Sequence, residues 1–252
     1  MINIQYIDPM PPESLRGRVS GSVDEDWFDK SGRLTVGEWS KALASQGMMF
    51  QDFHTIIDFG CGCGRAIRYL RKQITPAQRL IGLDPDKEAT DWLAKNVSGV
   101  TAHALDDLPP AQQVASGSVD LILSHSVFTH LPEDVQFAWL SELARMLKSG
   151  GLLIASIHGA KVIDDYARSL IELGMNDASA HFSAEIKARG FFHVVGKNAF
   201  EEALPSYYGA AFHEMPYVLE HWTKDFEIKA WFPTFALNHQ DVLILCRRSL
   251  TI

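Results

Sequence analysis

His54-Thr55-Ile56-Ile57-Asp58-Phe59-Gly60-Cys61-Gly62-Cys63-Gly64 decides the fold of this chain. An apolar run of strand length leads straight into three glycines at alternate positions, and the residues beyond, Ala66 to Gln73, predict a helix. Glycines at such a junction permit backbone angles closed to other residues and let a ligand lie against the main chain. The start of the following helix offers free N–H groups and a positive dipole end, which suits a ligand carboxylate.

Outward from this junction, strands and helices alternate. Strands are expected at Arg79–Asp84, Val100–His103, Val119–Ser124 and Leu152–Ile157, with helices at Pro85–Val97 and Glu133–Leu147, the latter ended by Gly150-Gly151. Such alternation implies a parallel sheet with helices on both faces and right-handed crossovers. After residue 157 the rhythm breaks. Helices are expected at Val162–Leu173 and Ala180–Ala188 and a strand at Phe191–Val195, among the aromatics Phe182, Phe192, Phe200, Tyr207, Tyr208 and Phe212. Rhythm returns with a helix at Glu214–Trp222 and strands at Phe226–Phe232 and Val242–Arg247, an antiparallel hairpin at the sheet edge. Upstream, Pro9, Pro11 and Pro12 open an extension whose helix is expected at Gly32–Gly47. The fold class is therefore α/β: a doubly wound, mostly parallel sheet of about seven strands with a C-terminal antiparallel hairpin and a helical insertion after strand five. Residues 1–50 form the extension, 51–157 and 213–252 the core, and 158–212 an insertion expected to act as a substrate lid.

The bulk numbers exclude several function classes. The chain has 252 residues and a formal net charge of -8, with no dense basic run, so nothing draws it to nucleic acid or to an anionic membrane. Its three cysteines, Cys61, Cys63 and Cys246, have no disulfide spacing, which suits a reducing compartment. Cys61 and Cys63 lack a downstream pair of ligands, so no metal is expected. Met1 to Tyr6 show no basic stretch followed by an apolar run, and no segment approaches the ~20 apolar residues of a membrane span. A cytoplasmic protein with a small-molecule partner is expected; the oligomeric state is left open.

Asp84 stands 20 residues beyond Gly64, at the end of the second strand, where a carboxylate can accept hydrogen bonds from ribose hydroxyls. The same geometry serves dinucleotide enzymes, but their G-x-G-x-x-G spacing fails here. Counted from Gly60 the third glycine falls on Arg65, and counted from Gly62 it falls on Ile67.

Ile57 to Arg65 resembles motif I of the class I S-adenosylmethionine (SAM)-dependent methyltransferases. Leu83-Asp84-Pro85-Asp86 is similar to the second motif of that family, His103 to Pro109 to the third, and Ser118 to Ser126 to the fourth. Leu143 to Leu153 is similar to the lead into strand five. The resemblance covers residues 54 to 157 and implies SAM as cofactor. It implies that Gly60, Gly62 and Gly64 face the methionine part and that Asp84 binds the ribose, with Asp58, Phe59, Cys61, Arg65 and Pro85 also in the cofactor site. Ala104, Leu105 and Asp106 would lie beside the adenine, and Ser124 and His125 near the sulfonium. One departure is visible: relatives carry an Asp just after strand three, where this chain has His103 or Ala104, so the adenine contact falls to the backbone. Methylators of exocyclic amines show an Asn/Asp-Pro-Pro-aromatic tetrad after strand four. Ser124-His125-Ser126-Val127 stands there instead and points away from nucleic-acid bases.

Methyl transfer needs alignment more than covalent catalysis, and a hydroxyl acceptor also needs a base, for which histidine is suited. His130, His158 and His213 are the candidates, the first two at strand ends and the third next to the last helix. The expected function is methylation of a small hydroxylated metabolite on oxygen. A non-catalytic SAM-binding or interaction module and an NAD-dependent oxidoreductase stay open as alternatives.

Overall fold

The structure, a computed structural model, describes residues 8–196 and 204–249. The expectations for Met1 to Tyr6 and for Phe200 lie outside them. The described chain builds nine strands, β1 (Thr55–Phe59), β2 (Arg79–Asp84), β3 (Thr101–Ala104), β4 (Val119–Ser124), β5 (Leu147–Ile157), β6 (Phe191–Val195), β7 (Gly209–His213), β8 (Phe226–Ala236) and β9 (Gln240–Arg247). Seven of them form one sheet in the order β3-β2-β1-β4-β5-β9-β8, and β6 pairs with β7 apart from it. The first five are parallel, while β9 runs antiparallel to both β5 and β8. The order reverses between β1 and β4, and ligands of doubly wound sheets bind in the crevice at such a switch point.

Helices cover both faces: α1 (Glu13–Ser20), α2 (Glu25–Ser45), α3 (Ile67–Leu70), α4 (Lys87–Asn96), α5 (Glu133–Met146), α6 (Ala160–Glu172), α7 (Asn176–Arg189) and α8 (Met215–His221). Strand residues alternate between the faces, as a pleat requires. Ile57, Ile122 and Leu153 pack with α5 and α8 through Trp139, Leu143 and Val218. Ile56, Leu121 and Ile154 pack on the other face with α2 and α3 through Val36, Leu43 and Ile67. A smaller cluster of Val162, Leu170, Phe182 and Phe212 joins α6 and α7 to β7.

Three local expectations are corrected. α2 begins at Glu25, not Gly32, because the Asp24 side chain accepts from Trp27 N at 2.6 Å and caps it, with acids in the first turn. Gly32 lies inside that helix, where a Cβ would stand 2.0 Å from the Arg65 carbonyl oxygen. Gly150 does not cap a helix: α5 stops at Met146, and Gly150, with φ 78, lies in the entry of β5 beside a register shift against β4. The helix expected over Ala66–Gln73 is a four-residue turn, Ile67–Leu70, followed by a 3-10 turn.

Candidate active site

β1 delivers the glycine loop to the carboxyl end of the sheet, and backbone bonds hold it there. Gly60 N and Cys61 N both donate to Leu83 O, at 2.8 and 3.2 Å, and Gly64 N donates to Cys61 O. Gly62 N donates to Asp84 Oδ2 at 2.8 Å, while Asp84 Oδ1 accepts from Asp86 N at 2.9 Å. Asp84 thus ties the loop to the end of β2 and keeps lone pairs free on both oxygens. The glycines have different reasons. At Gly60 a Cβ would lie 2.2 Å from Val127 Cγ2, at Gly62 2.4 Å from Val19 Cγ2, and at Gly64 2.7 Å from Leu93 Cδ1, with all three at positive φ. Protein side chains therefore close over this loop, and the Val19 that covers Gly62 belongs to α1.

Beneath that cover is a cavity of about 520 Å³, within the usual range of ligand pockets. Its floor is Asp58 to Gly62, Arg65, Ala66 and the Asp84-Pro85-Asp86 corner; Leu105 and Asp106 border one end. His125, Ser126, Val127 and His130 border it beyond β4. The roof comes from parts of the chain that the sequence motifs do not touch: Gly17 to Gly21, Trp27 and Trp39, Leu204, Pro205, Tyr207 and Tyr208, and Leu237 at the β8–β9 turn. The terminus of α1 is a visible signal, since Gly21 takes the left-handed cap conformation, but no local pattern says that this helix sits on Gly62.

Of the residues expected at the site, Asp58 to Gly62, Arg65, Asp84, Pro85, Leu105, Asp106, His125 and His130 border the cavity; Gly64, Ala104, Ser124, His158 and His213 do not. Ser124 is buried, and its Oγ has no hydrogen-bond partner among the described residues. His213 is 1% exposed and bonds Gln136 Oε1 through Nε2 at 2.9 Å. His158 bonds Ala211 O through Nδ1 at 3.1 Å. Burial holds both of these rings down at about 3, so each is a neutral structural group that ties β7 to the core.

His130 is placed differently. Its Nδ1 lies 2.7 Å from Gly209 O, so Nδ1 carries the proton and Nε2 keeps its lone pair. Tyr208 stacks on the ring at a centroid distance of 4.4 Å, and Gly209 N donates back to His130 O at 3.1 Å. Burial lowers its pKa, partly offset by the Gly209 carbonyl. His125 is held well below its ordinary value by burial and by the Arg65 charge.

The floor holds buried charge. Burial pushes Asp58 up to about 7, against the pull of Arg65, and Asp84 up to about 6, against its two backbone N–H bonds. Among the described residues no group donates a hydrogen bond to the Asp58 carboxylate, although it borders the cavity and is only 3% exposed. A buried carboxylate without a donor calls for a cationic or hydrogen-bonding ligand.

Residues 56–151 match the family described as Methyltransferase domain. Over that stretch the chain carries a methyltransferase domain. It is 33% identical over 104 residues to a 2-methyl-6-phytyl-1,4-hydroquinone methyltransferase of Synechocystis, covering 40% of this chain and 31% of that protein. It is 34% identical over 125 residues to a malonyl-[acyl-carrier protein] O-methyltransferase of Hahella chejuensis, covering 48% and 41%. The chain thus spans less than half the length of these curated relatives. The fold is similar to that of a SAM-dependent methyltransferase from Clostridium acetobutylicum (TM-score 0.55, 10% identity, 86% and 92% coverage). It is also similar to the N-methyltransferase NodS of Bradyrhizobium japonicum, solved with S-adenosylhomocysteine (TM-score 0.52, 13% identity, 88% of each chain).

The residues of the methyltransferase domain fit SAM. The unsatisfied Asp58 carboxylate suits its ammonium or sulfonium charge, Asp84 keeps acceptor capacity for a ribose, and Arg65 offers a fork to the amino-acid carboxylate. No helix among the described residues is long and apolar enough to cross a membrane.

Proposed function

We propose that the chain methylates a small, uncharged hydroxyl compound with an apolar or aromatic body, taking the methyl group from SAM. The observation that carries this reading is that His130, with its Nε2 lone pair free, borders the same cavity as the glycine loop. When bound, SAM supplies a methyl group on a positively charged sulfur. Asp58, Asp84 and Arg65 hold the two ends of the cofactor, and Leu105 and Asp106 border the adenine. His130 would take the acceptor's hydroxyl proton on Nε2, leaving that oxygen free to receive the methyl group that bound SAM would supply. The Nδ1–H keeps donating to the Gly209 carbonyl, so the ring does not turn.

The acceptor class follows from the roof. Trp27, Leu204, Pro205, Tyr207, Tyr208 and Leu237 offer rings and apolar surface. Among the described residues its one cation, Arg18, is held by Asp86 and Glu88, which supports an acceptor without a phosphate or carboxylate. That supports the hydroquinone named for the Synechocystis relative as the nearer chemistry, rather than the malonyl carboxylate named for the Hahella one. The net charge of -8 and the Ser124 to Val127 stretch support a partner other than nucleic acid, and residues 204–208 with α1 and α2 act as cover for the acceptor.

The test is transfer of labelled methyl from SAM to a panel of phenols and hydroquinones, aliphatic alcohols, amines and carboxylates. Turnover on the phenolic members supports the reading. Turnover confined to carboxylates or amines overturns the acceptor class, and SAH binding without turnover on any acceptor favours a binding module.

A further inference from the structure

α2 precedes the residues that match the methyltransferase family, yet one stripe of it faces Arg65. Gly32, Thr35 and Glu38 recur every three residues and so share a helix face. At Gly32 the helix backbone meets the Arg65 carbonyl so closely that a Cβ would stand 2.0 Å from its oxygen. One turn on, the hydroxyl of Thr35, a fully buried residue, accepts from Arg65 Nη1 at 3.2 Å. Another turn on, Glu38 Oε1 accepts from Leu237 N at 2.8 Å, and Glu38 Oε2 is buried with no hydrogen-bond partner among the described residues. Arg65 and Glu38 lie within each other's field. Burial lowers the pKa of the guanidinium, and Asp58 and Glu38 pull it back up; burial raises Glu38, and the Leu237 N–H and Arg65 pull it back down. Leu237 in turn borders the cavity, as does Trp39 next to Glu38.

Resting on the reading of the cavity as a SAM site, we infer that α2 is a working part of it: Thr35 and Glu38 are positioning residues that aim the Arg65 fork at the amino-acid end of the cofactor, and Glu38 joins that end to the β8–β9 turn over the acceptor. An arginine on a flexible side chain loses several rotamers when it binds a carboxylate, and one already bonded on its far side loses fewer. The Thr35 hydroxyl supplies that bond. Glu38 supplies counter-charge where the guanidinium leaves water, and its Oε1 accepts from a main-chain N–H 199 residues away.

The inference separates two ligands that share the nucleoside. S-adenosylhomocysteine carries the amino-acid end; 5′-methylthioadenosine lacks it. Binding of both is measured by calorimetry on the full chain and on Thr35→Val, Thr35→Ser and Glu38→Gln. Thr35→Val keeps the volume and removes the hydroxyl, and Thr35→Ser keeps the hydroxyl. Thr35→Val and Glu38→Gln are expected to weaken S-adenosylhomocysteine about fivefold, the worth of one hydrogen bond, with methylthioadenosine unchanged and Thr35→Ser like the parent. Loss of both ligands alike, or of neither, overturns the inference, because a merely structural role does not single out the amino-acid end. If Glu38→Gln fails to fold, the Val and Ser variants at position 35 decide alone. A parent chain that binds neither ligand overturns the SAM site itself, and the inference with it.

Discussion

The floor of the cavity, from Asp58 to Arg65 with Asp84, is made of main chain and buried charge within one stretch of sheet and loop. Its roof is made of side chains from α1, α2, residues 204–208 and the β8–β9 turn. The floor is held by backbone hydrogen bonds to Leu83 O and to the Asp84 carboxylate, so its shape follows from the sheet. The roof is held by the Arg18 pair with Asp86, the Tyr207 bond to Asp107 O and the Tyr208 stack on His130. Under the proposed function, one surface serves a ligand that does not change, and the other is free to serve an acceptor that does.

Four changes would break or sharpen that division. His130→Gln touches the point where floor and roof meet. It should lower kcat by about a thousandfold, within the span of general-base effects, with little change in S-adenosylhomocysteine affinity by calorimetry. In the parent, kcat should rise with pH through a value below about 6.5 and then level, because burial favours the neutral ring. Loss of that limb in the variant is the check. Asp84→Ala belongs to the floor alone. It removes the acceptor of Gly62 N and Asp86 N and should weaken S-adenosylhomocysteine about a hundredfold, the order expected for two charge-assisted bonds; an unchanged affinity would place the ribose elsewhere. Tyr208→Leu belongs to the roof. It should raise the acceptor KM about tenfold, as loss of an aromatic contact does, and leave cofactor affinity alone.

The last effect is on stability. Asp58 binds a proton more tightly in the folded chain, at about 7 against an ordinary 3.8, so the folded state holds the extra proton between these values. Stability from this group is therefore present at low pH and is lost as pH rises through about 7. Asp58→Asn should stabilise the cofactor-free chain more at pH 8 than at pH 5, by about 2–3 kcal/mol. Thermal melts at the two pH values check the sign.

The floor was legible in the sequence because its causes are local. Strand one, the alternate glycines and Asp84 stand within one β-loop-β unit, and alternation of apolar segments carried the sheet. The reasons behind the glycines were not legible: Gly60 and Gly62 leave room for Val127 and Val19, and only the folded chain brings those valines there. The same holds for β7, whose five residues show no strand pattern and are held by Phe191 to Val195, by His158 O and by Thr129 O. His213 and His158 read as bases because they stand at element ends, but neither borders the cavity, and each is tied to the core by one ring nitrogen, on Gln136 and on Ala211 O. A histidine's neighbours, not its place in the chain, decide whether a lone pair faces ligand.

The reversal of β9 has a consequence for how such a protein can diverge. Because Ile157 pairs with Asp241, the antiparallel strand begins where the parallel strands end, and the turn carrying Leu237 overhangs the ligand end of the sheet. Residues added to or removed from that turn would change its reach over the acceptor without altering one ladder bond. The hairpin is thus an adjustable arm on a fixed frame, and the natural place to engineer tolerance for larger acceptors.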